Sequence, residues 1–152
     1  MQLTQKERSL LKDQLSHEEI CIQKYNKYAN QVQDPQLKQM LQQFASQEQQ
    51  HYDTINQILQ GQQPNLGGGQ QQQQKPQFPN LLQDNQASQQ DAFMLQDLLM
   101  TEKYVSSAYN TTIFESVNPT LRQTLQHIQK EEQQHGEGLF NYMQQHGLYN
   151  PQ

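Results

Sequence analysis

Glu48-x-x-His51 and Glu132-x-x-His135 each set a carboxylate and an imidazole one turn apart on the same face of a helix. An oxygen and a nitrogen donor at that spacing can grip one cation. With nine Glu and five His in the chain, chance supplies about 0.3 such pairs, so either one alone carries little weight. Two more carboxylates give the pairs meaning. Glu18 stands about as far before a turn near residues 32–34 as Glu48 stands after it, so an antiparallel hairpin brings the two to the same height. Glu102 and Glu132 flank a turn near 116–118 in the same way. Glu18 and Glu102 also fall on apolar stripes, where an unpaired ionised carboxylate costs several kcal/mol. Four carboxylates and two neutral imidazoles at one level call for two divalent cations. Oxygen-rich ligation with one nitrogen per ion suits iron or manganese better than a structural zinc site.

The elements that place these residues show as hydrophobic periodicity. Leu11, Leu15, Ile22, Tyr25 and Ala29 mark one helical face, with Glu18 in the step between Leu15 and Ile22. Leu37, Leu41, Phe44, Ile55, Ile58 and Leu59 mark a second, Leu95, Leu98, Val105, Tyr109 and Ile113 a third, and Leu121, Leu125, Ile128, Leu139 and Met143 a fourth. Start signals agree: Thr4 with Glu7 and Ser88 with Asp91 read as capping boxes, and Asp34-Pro35 and Asn118-Pro119 as caps followed by a proline. Helices are therefore expected near 5–31, 35–60, 89–115 and 119–146. Residues 61–86 are rich in Gly, Pro and Gln and have no period, which marks a linker. A helix of about 25 residues is roughly 37 Å long, and 26 extended residues reach about 85 Å, so this linker can cross the whole length of a bundle. The fold class is all-α: one four-helix domain of two hairpins, about 4–60 and about 88–146, with the third helix parallel to the second.

Shifting the chain by 84 positions lays one hairpin on the other without a gap. Asp13 meets Asp97, Glu18 meets Glu102, Tyr25-Asn26 meets Tyr109-Asn110, Pro35 meets Pro119, and Glu48 through His51 meets Glu132 through His135. Glutamine matches deserve little weight, because 36 of the 152 residues are Gln. Glu, His, Tyr and Pro matches are not explained by composition. The chain reads as two copies of one hairpin about a pseudo-two-fold axis.

A Glu from each of two helices plus a Glu-x-x-His from each of the other two resembles the ferritin-like superfamily of di-iron and di-manganese proteins. The resemblance covers all four helices. It implies Glu48 and Glu132 as bridging carboxylates, Glu18 and Glu102 as terminal ones, and His51 and His135 as one ligand to each ion. The stretch SHEEICIQKYNKYANQVQDPQLKQMLQQFASQEQQH and the Gln-rich linker are similar to the coat F family of spore coat proteins. That similarity implies synthesis in the mother cell, deposition on the spore, and other coat proteins or further copies of itself as partners.

Other residues have plainer readings. Glu19 lies off the stripe and aligns with Lys103, and Glu131 aligns with Gln47, so neither is expected as a ligand. His17, His127 and His146 have no histidine counterpart in the repeat and read as exposed or satisfied. Tyr25 and Tyr109, two turns beyond Glu18 and Glu102, are either core residues or donors to a ligand carboxylate. Cys21 reads as a small core residue rather than a reactive thiol. A net charge of -5 leaves no basic footprint for nucleic acid, no apolar run is long enough to span a membrane, and MQLTQKERSL is not a leader for secretion. Two functions follow: a dimetal redox protein acting on iron, peroxide or dioxygen, and a structural coat component whose metals hold the bundle together.

Because the linker has only to reach across the bundle, replacing Gln70 to Gln74 by a Gly-Ser segment of equal length should leave metal binding intact. Titration of the substituted protein with Mn(II) checks this, and loss of both ions would make the linker part of the site.

Overall fold

The computed structural model of the chain describes residues 1–64 and 89–149. It contains four helices, α1 (Gln5–Ala29), α2 (Pro35–Leu59), α3 (Gln89–Glu115) and α4 (Pro119–Gln145), packed as an all-α bundle of two hairpins. The expected Ser88 cap and most of the 61–86 linker lie outside the described residues.

The start signals act as their chemistry requires. Glu7 N–H donates to Thr4 Oγ1 at 3.0 Å and Thr4 N–H donates to Glu7 Oε2 at 2.7 Å, which closes the capping box. The other Glu7 oxygen accepts from Val117 N–H at 2.7 Å, so one buried carboxylate ties the start of α1 to the α3/α4 turn. Asp34 accepts from Gln36 N–H, and Asn118 from Thr120 and Leu121 N–H, each just ahead of the proline that opens the helix. At the far ends, Gly61 and Gly147 take φ of +86° and +68°. That left-handed turn lets Gln62 N–H reach Gln57 O and Leu148 N–H reach Met143 O, closing α2 and α4. Helix α1 stops two residues short of the expected 31, where Asn30 caps it.

The α1 stripe differs in detail from its sequence reading. The buried positions are Glu7, Leu11, Gln14, Glu18, Cys21, Tyr25 and Ala29, whereas Leu15 and Ile22 are only partly buried. From Glu7 to Cys21 the steps alternate four and three, a 3.5-residue period that keeps a seam facing partner helices lying nearly parallel to it. Gln14 is drawn inside by this geometry and donates to Thr112 Oγ1 at 3.3 Å.

Contacts between α1 and α3 fix direction. Gln14 meets Thr112, Tyr109 meets Glu18, Tyr25 meets Glu102 and Tyr28 meets Asp97, so the two helices are antiparallel. Helix α3 therefore runs parallel to α2, and the end of α2 and the start of α3 lie at opposite ends of the bundle, as a long crossover demands.

The apolar core is split in two. One cluster contains Leu37, Leu41, Phe44, Leu95, Leu98, Leu139 and Met143; the other contains Leu11, Ile55, Ile58, Leu121, Leu125 and Ile128. Repeat-related residues fall in different clusters: Leu11 and Leu95, Leu41 and Leu125, Ile55 and Leu139. The pseudo-two-fold axis thus crosses the bundle between the clusters, at the level of the polar residues. Leu41→Ala and Leu125→Ala, both fully buried, should each cost about 2–5 kcal/mol, and because the sites are far apart the double variant should lose about the sum. Chemical denaturation of the three variants measures it.

Candidate metal centre

Between the two cores, Glu18 of α1, Glu48 and His51 of α2, Glu102 of α3, and Glu132 and His135 of α4 come together, each at most 3% exposed. Their ligand atoms form two groups, Glu18, Glu48, His51 and Glu132 in one and Glu48, Glu102, Glu132 and His135 in the other, with the atoms of each group within 4.8 Å of one another. Glu48 and Glu132 belong to both. His51 Nδ1 lies 2.7 Å from Glu132 Oε1, 3.6 Å from Glu48 Oε2 and 3.7 Å from Glu18 Oε2. Across the axis His135 Nδ1 lies 2.7 Å from Glu48 Oε1 and 3.5 Å from Glu102 Oε1.

The fit to a cation can be tested on the polar atoms themselves. Among the described residues nine buried side-chain N or O atoms make no hydrogen bond, and eight of them belong to these six side chains. Buried polar atoms are normally satisfied, so eight orphans facing one space is the state expected of ligand atoms awaiting positive charge. The donors, all carboxylate oxygen apart from one imidazole nitrogen per group, suit a hard or borderline divalent ion.

Each ligand side chain is aimed from behind. His51 Nε2 contacts Glu131 Oε1 at 3.1 Å and His135 Nε2 contacts Gln47 Oε1 at 2.5 Å, acceptors that would hold a ring proton on Nε2 and free Nδ1 to ligate a cation. The phenol of Tyr25 donates to Glu102 and that of Tyr109 donates to Glu18. These bonds run between hairpins, each tyrosine serving a buried carboxylate of the other copy. Sequence reasoning set Glu131 aside as a ligand and assigned it and Gln47 no other role. The signal was present, since both sit one residue before the Glu of a Glu-x-x-His, where an antiparallel α2/α4 pair brings each under the opposite histidine. The remaining histidines stay apart from the six: His17 contacts Gln14 and Tyr104, His127 contacts Glu131, and His146 stacks on Tyr142. Cys21 is buried beside the centre, with its thiol pushed up by burial and by the four carboxylates.

The family model of the Coat F domain matches residues 6–62 and 90–152. The chain belongs to the Coat F family. The two matched stretches cover both hairpins and begin 84 residues apart, in step with the internal repeat. Comparison with curated proteins and with solved structures yields no match. Membership in the Coat F family points to the spore coat and to other coat proteins as partners, and no described helix is long and apolar enough to cross a membrane.

Electrostatics divide the carboxylates of this Coat F protein by role. In the absence of cations, burial together with the neighbouring carboxylates pushes Glu48 and Glu132 well above the usual 4.5. Burial opposes ionisation of Glu18 and Glu102 too, but the close Glu48 and Glu132 carboxyls, the histidines and the bonds donated by the two phenols hold both below it. Burial would lower His51, yet the Glu18 charge, the Nε2 bond to Glu131 and the close Glu132 carboxylate carry it well above 6.5. The metal-free folded state therefore binds more protons than the unfolded chain, through Glu48 and Glu132 above pH 4.5 and through His51 above pH 6.5. Stability falls as pH rises through that range. The lowered groups, Glu7, Glu18, Glu102 and Glu131, act oppositely and only where the unfolded chain takes up protons, around and below 4.5. The melting temperature of metal-free protein should accordingly decline as pH rises above about 5 and on past neutrality, and saturating Mn(II) should flatten the decline by replacing those protons. Thermal melts across pH with and without Mn(II) provide the comparison.

Proposed function

We propose that this protein is a ferritin-like dimetal-binding component of the spore coat, taking two divalent ions, iron or manganese, in the layer between its cores. The convergence of four carboxylates and two imidazoles, eight of whose buried polar atoms make no hydrogen bond, carries the reading. Glu48 and Glu132, common to both groups, act as bridges. Glu18 and Glu102 are the terminal carboxylates, and His51 and His135 give one nitrogen to each ion. Tyr25 and Tyr109 fix the terminal carboxylates, and the flanking apolar clusters keep bulk water from the centre.

When bound, such a pair supplies one-electron chemistry toward Fe(II), peroxide or dioxygen. The chain's contribution is a set of donors already at the right separation, in a dry layer that amplifies their charge. Synthesis in the mother cell, one domain formed by the whole chain, and oxidation or peroxide removal at the spore surface complete this reading.

A second reading, in which the ions mainly hold the bundle together in an assembled coat, is favoured by the outer surface. Helix α3 turns Phe93, Met100, Tyr104 and Phe114 outward, each at least 64% exposed, and among the described residues every glutamine except Gln14 is exposed or half-buried. Apolar side chains and neutral amides suit contact with neighbouring coat chains.

Protein purified without chelator should carry about two metal ions per chain by elemental analysis. Glu48→Ala or Glu132→Ala should remove both, whereas Glu18→Ala or Glu102→Ala should weaken binding less. Metal at a hundredfold excess over Kd should add about 2.7 kcal/mol of stability per ion. Metal-free protein that keeps full stability in chelator would sink the dimetal reading; given bound metal, peroxide-consumption and Fe(II)-oxidation assays separate the redox role from the structural one.

A further inference from the structure

The two halves of the centre have matching ligands but different supports. Positions 47 and 131 correspond across the 84-residue repeat, yet one is Gln and the other Glu. His135 Nε2 rests on the neutral amide oxygen of Gln47, whereas His51 Nε2 rests on the carboxylate of Glu131. The same Glu131 oxygen lies 3.2 Å from His127 Nε2, while the repeat counterpart of His127 is Gln43, an exposed residue. Both supports are held firmly enough to matter: Glu131 is 8% exposed, and Gln47 is half-buried. The surroundings of the rings differ as well. His135 stacks on Phe44 at 4.3 Å between ring centroids, and the counterpart of Phe44 is Ile128.

When Nδ1 gives its lone pair to a cation, the ring gains positive character and Nε2–H becomes more acidic. A carboxylate on that hydrogen stabilises the change, because a charge-assisted bond is roughly twice as strong as one to a neutral acceptor. An amide stabilises it less. We propose that Glu131 and Gln47 make the two metal positions unequal, so that the position formed by Glu18, Glu48, His51 and Glu132 binds a divalent ion more tightly and fills first, and the position formed by Glu48, Glu102, Glu132 and His135 fills second. Glu131 acts as a positioning residue that raises the donor strength of His51. The inference rests on the dimetal reading and adds an order of loading to it, with one ion held firmly and the other more readily exchanged.

The test is stepwise Mn(II) titration of the metal-free full-length chain by calorimetry, with helicity of each variant checked by circular dichroism. Wild-type protein should bind two ions in steps separated by about tenfold or more in affinity, the size of effect typical when a partner behind a metal-binding histidine is changed. Glu102→Ala should keep the tighter step and Glu18→Ala the weaker one, which assigns each step to its half. Glu131→Gln, which nearly preserves shape, should weaken the first step about tenfold and bring the two together. Gln47→Glu should strengthen the second step by a similar factor, a gain that damage to the fold would not produce and that keeps the test open should Glu131→Gln fail to fold. The double exchange, Gln47→Glu with Glu131→Gln, should reverse the order, so that Glu18→Ala on that background keeps the tighter step. Two ions bound with equal affinity, or steps that ignore both exchanges, would overturn the loading order and leave the dimetal reading standing. A folded wild-type chain that takes up no Mn(II) and no Fe(II) would overturn the dimetal reading itself.

Discussion

Four carboxylates buried in one layer of a small bundle set the terms for the remainder of the molecule. Each would cost several kcal/mol if ionised and unpaired away from water, and here they also repel one another. The chain answers at three distances. Nearest are the imidazoles, with Nδ1 2.7 Å from a carboxylate oxygen in both halves. Behind them stand Glu131, Gln47 and the two phenols, which use up the outward-facing hydrogen-bonding groups and leave the inward ones unpaired. Outermost are two apolar clusters, one above and one below, which supply the stability that the polar layer does not. Two divalent cations would complete this balance, which is the physical content of the proposed metal site.

The pseudo-two-fold axis explains how so polar a layer can be built from one modest hairpin. A single copy offers two carboxylates and one imidazole, with its apolar face uncovered. Antiparallel pairing of α1 with α3 brings a second copy that covers the face and completes both ligand groups, because Glu48 and Glu132 each serve the two groups. The crossed phenol bonds make each copy orient the other's carboxylate, so folding of the two hairpins and formation of the centre are coupled. Around the centre symmetry is broken at Gln47 against Glu131 and at Phe44 against Ile128, and those exchanges distinguish the two halves chemically.

Surface and interior follow opposite rules. The interior layer concentrates charge, while the surface is largely neutral amide, with apolar side chains turned outward from α3. A protein of the Coat F family is expected among other coat proteins, and a surface with few charges repels its neighbours weakly. The carboxylate layer and the exposed apolar side chains of α3 lie on opposite sides of the helix, so the proposed metal binding and the proposed assembly need not disturb one another.

Much of this was legible in the sequence because helices advertise themselves locally. The caps at Thr4, Asp34 and Asn118, the prolines after the last two, and the 3-4 spacing of apolar residues all act within a few positions of themselves, and they located four helices to within two residues. The repeat at 84 carried the longer-range information, because two matching hairpins with carboxylates at equal heights leave few ways to pack. Tertiary structure decided what depends on the exact seam. Gln14 and Cys21 displaced Leu15 and Ile22 from the buried face, since mutual packing of four nearly parallel helices selects a seam that a single isolated stripe does not reveal. It also decided that Tyr25 serves Glu102 rather than Glu18, and that Glu131 and Gln47 stand behind His51 and His135. Those contacts join helices distant in the chain, and their geometry is set by the crossing of one helix against another, so the position before each Glu-x-x-His gains its meaning only once α2 and α4 are packed together.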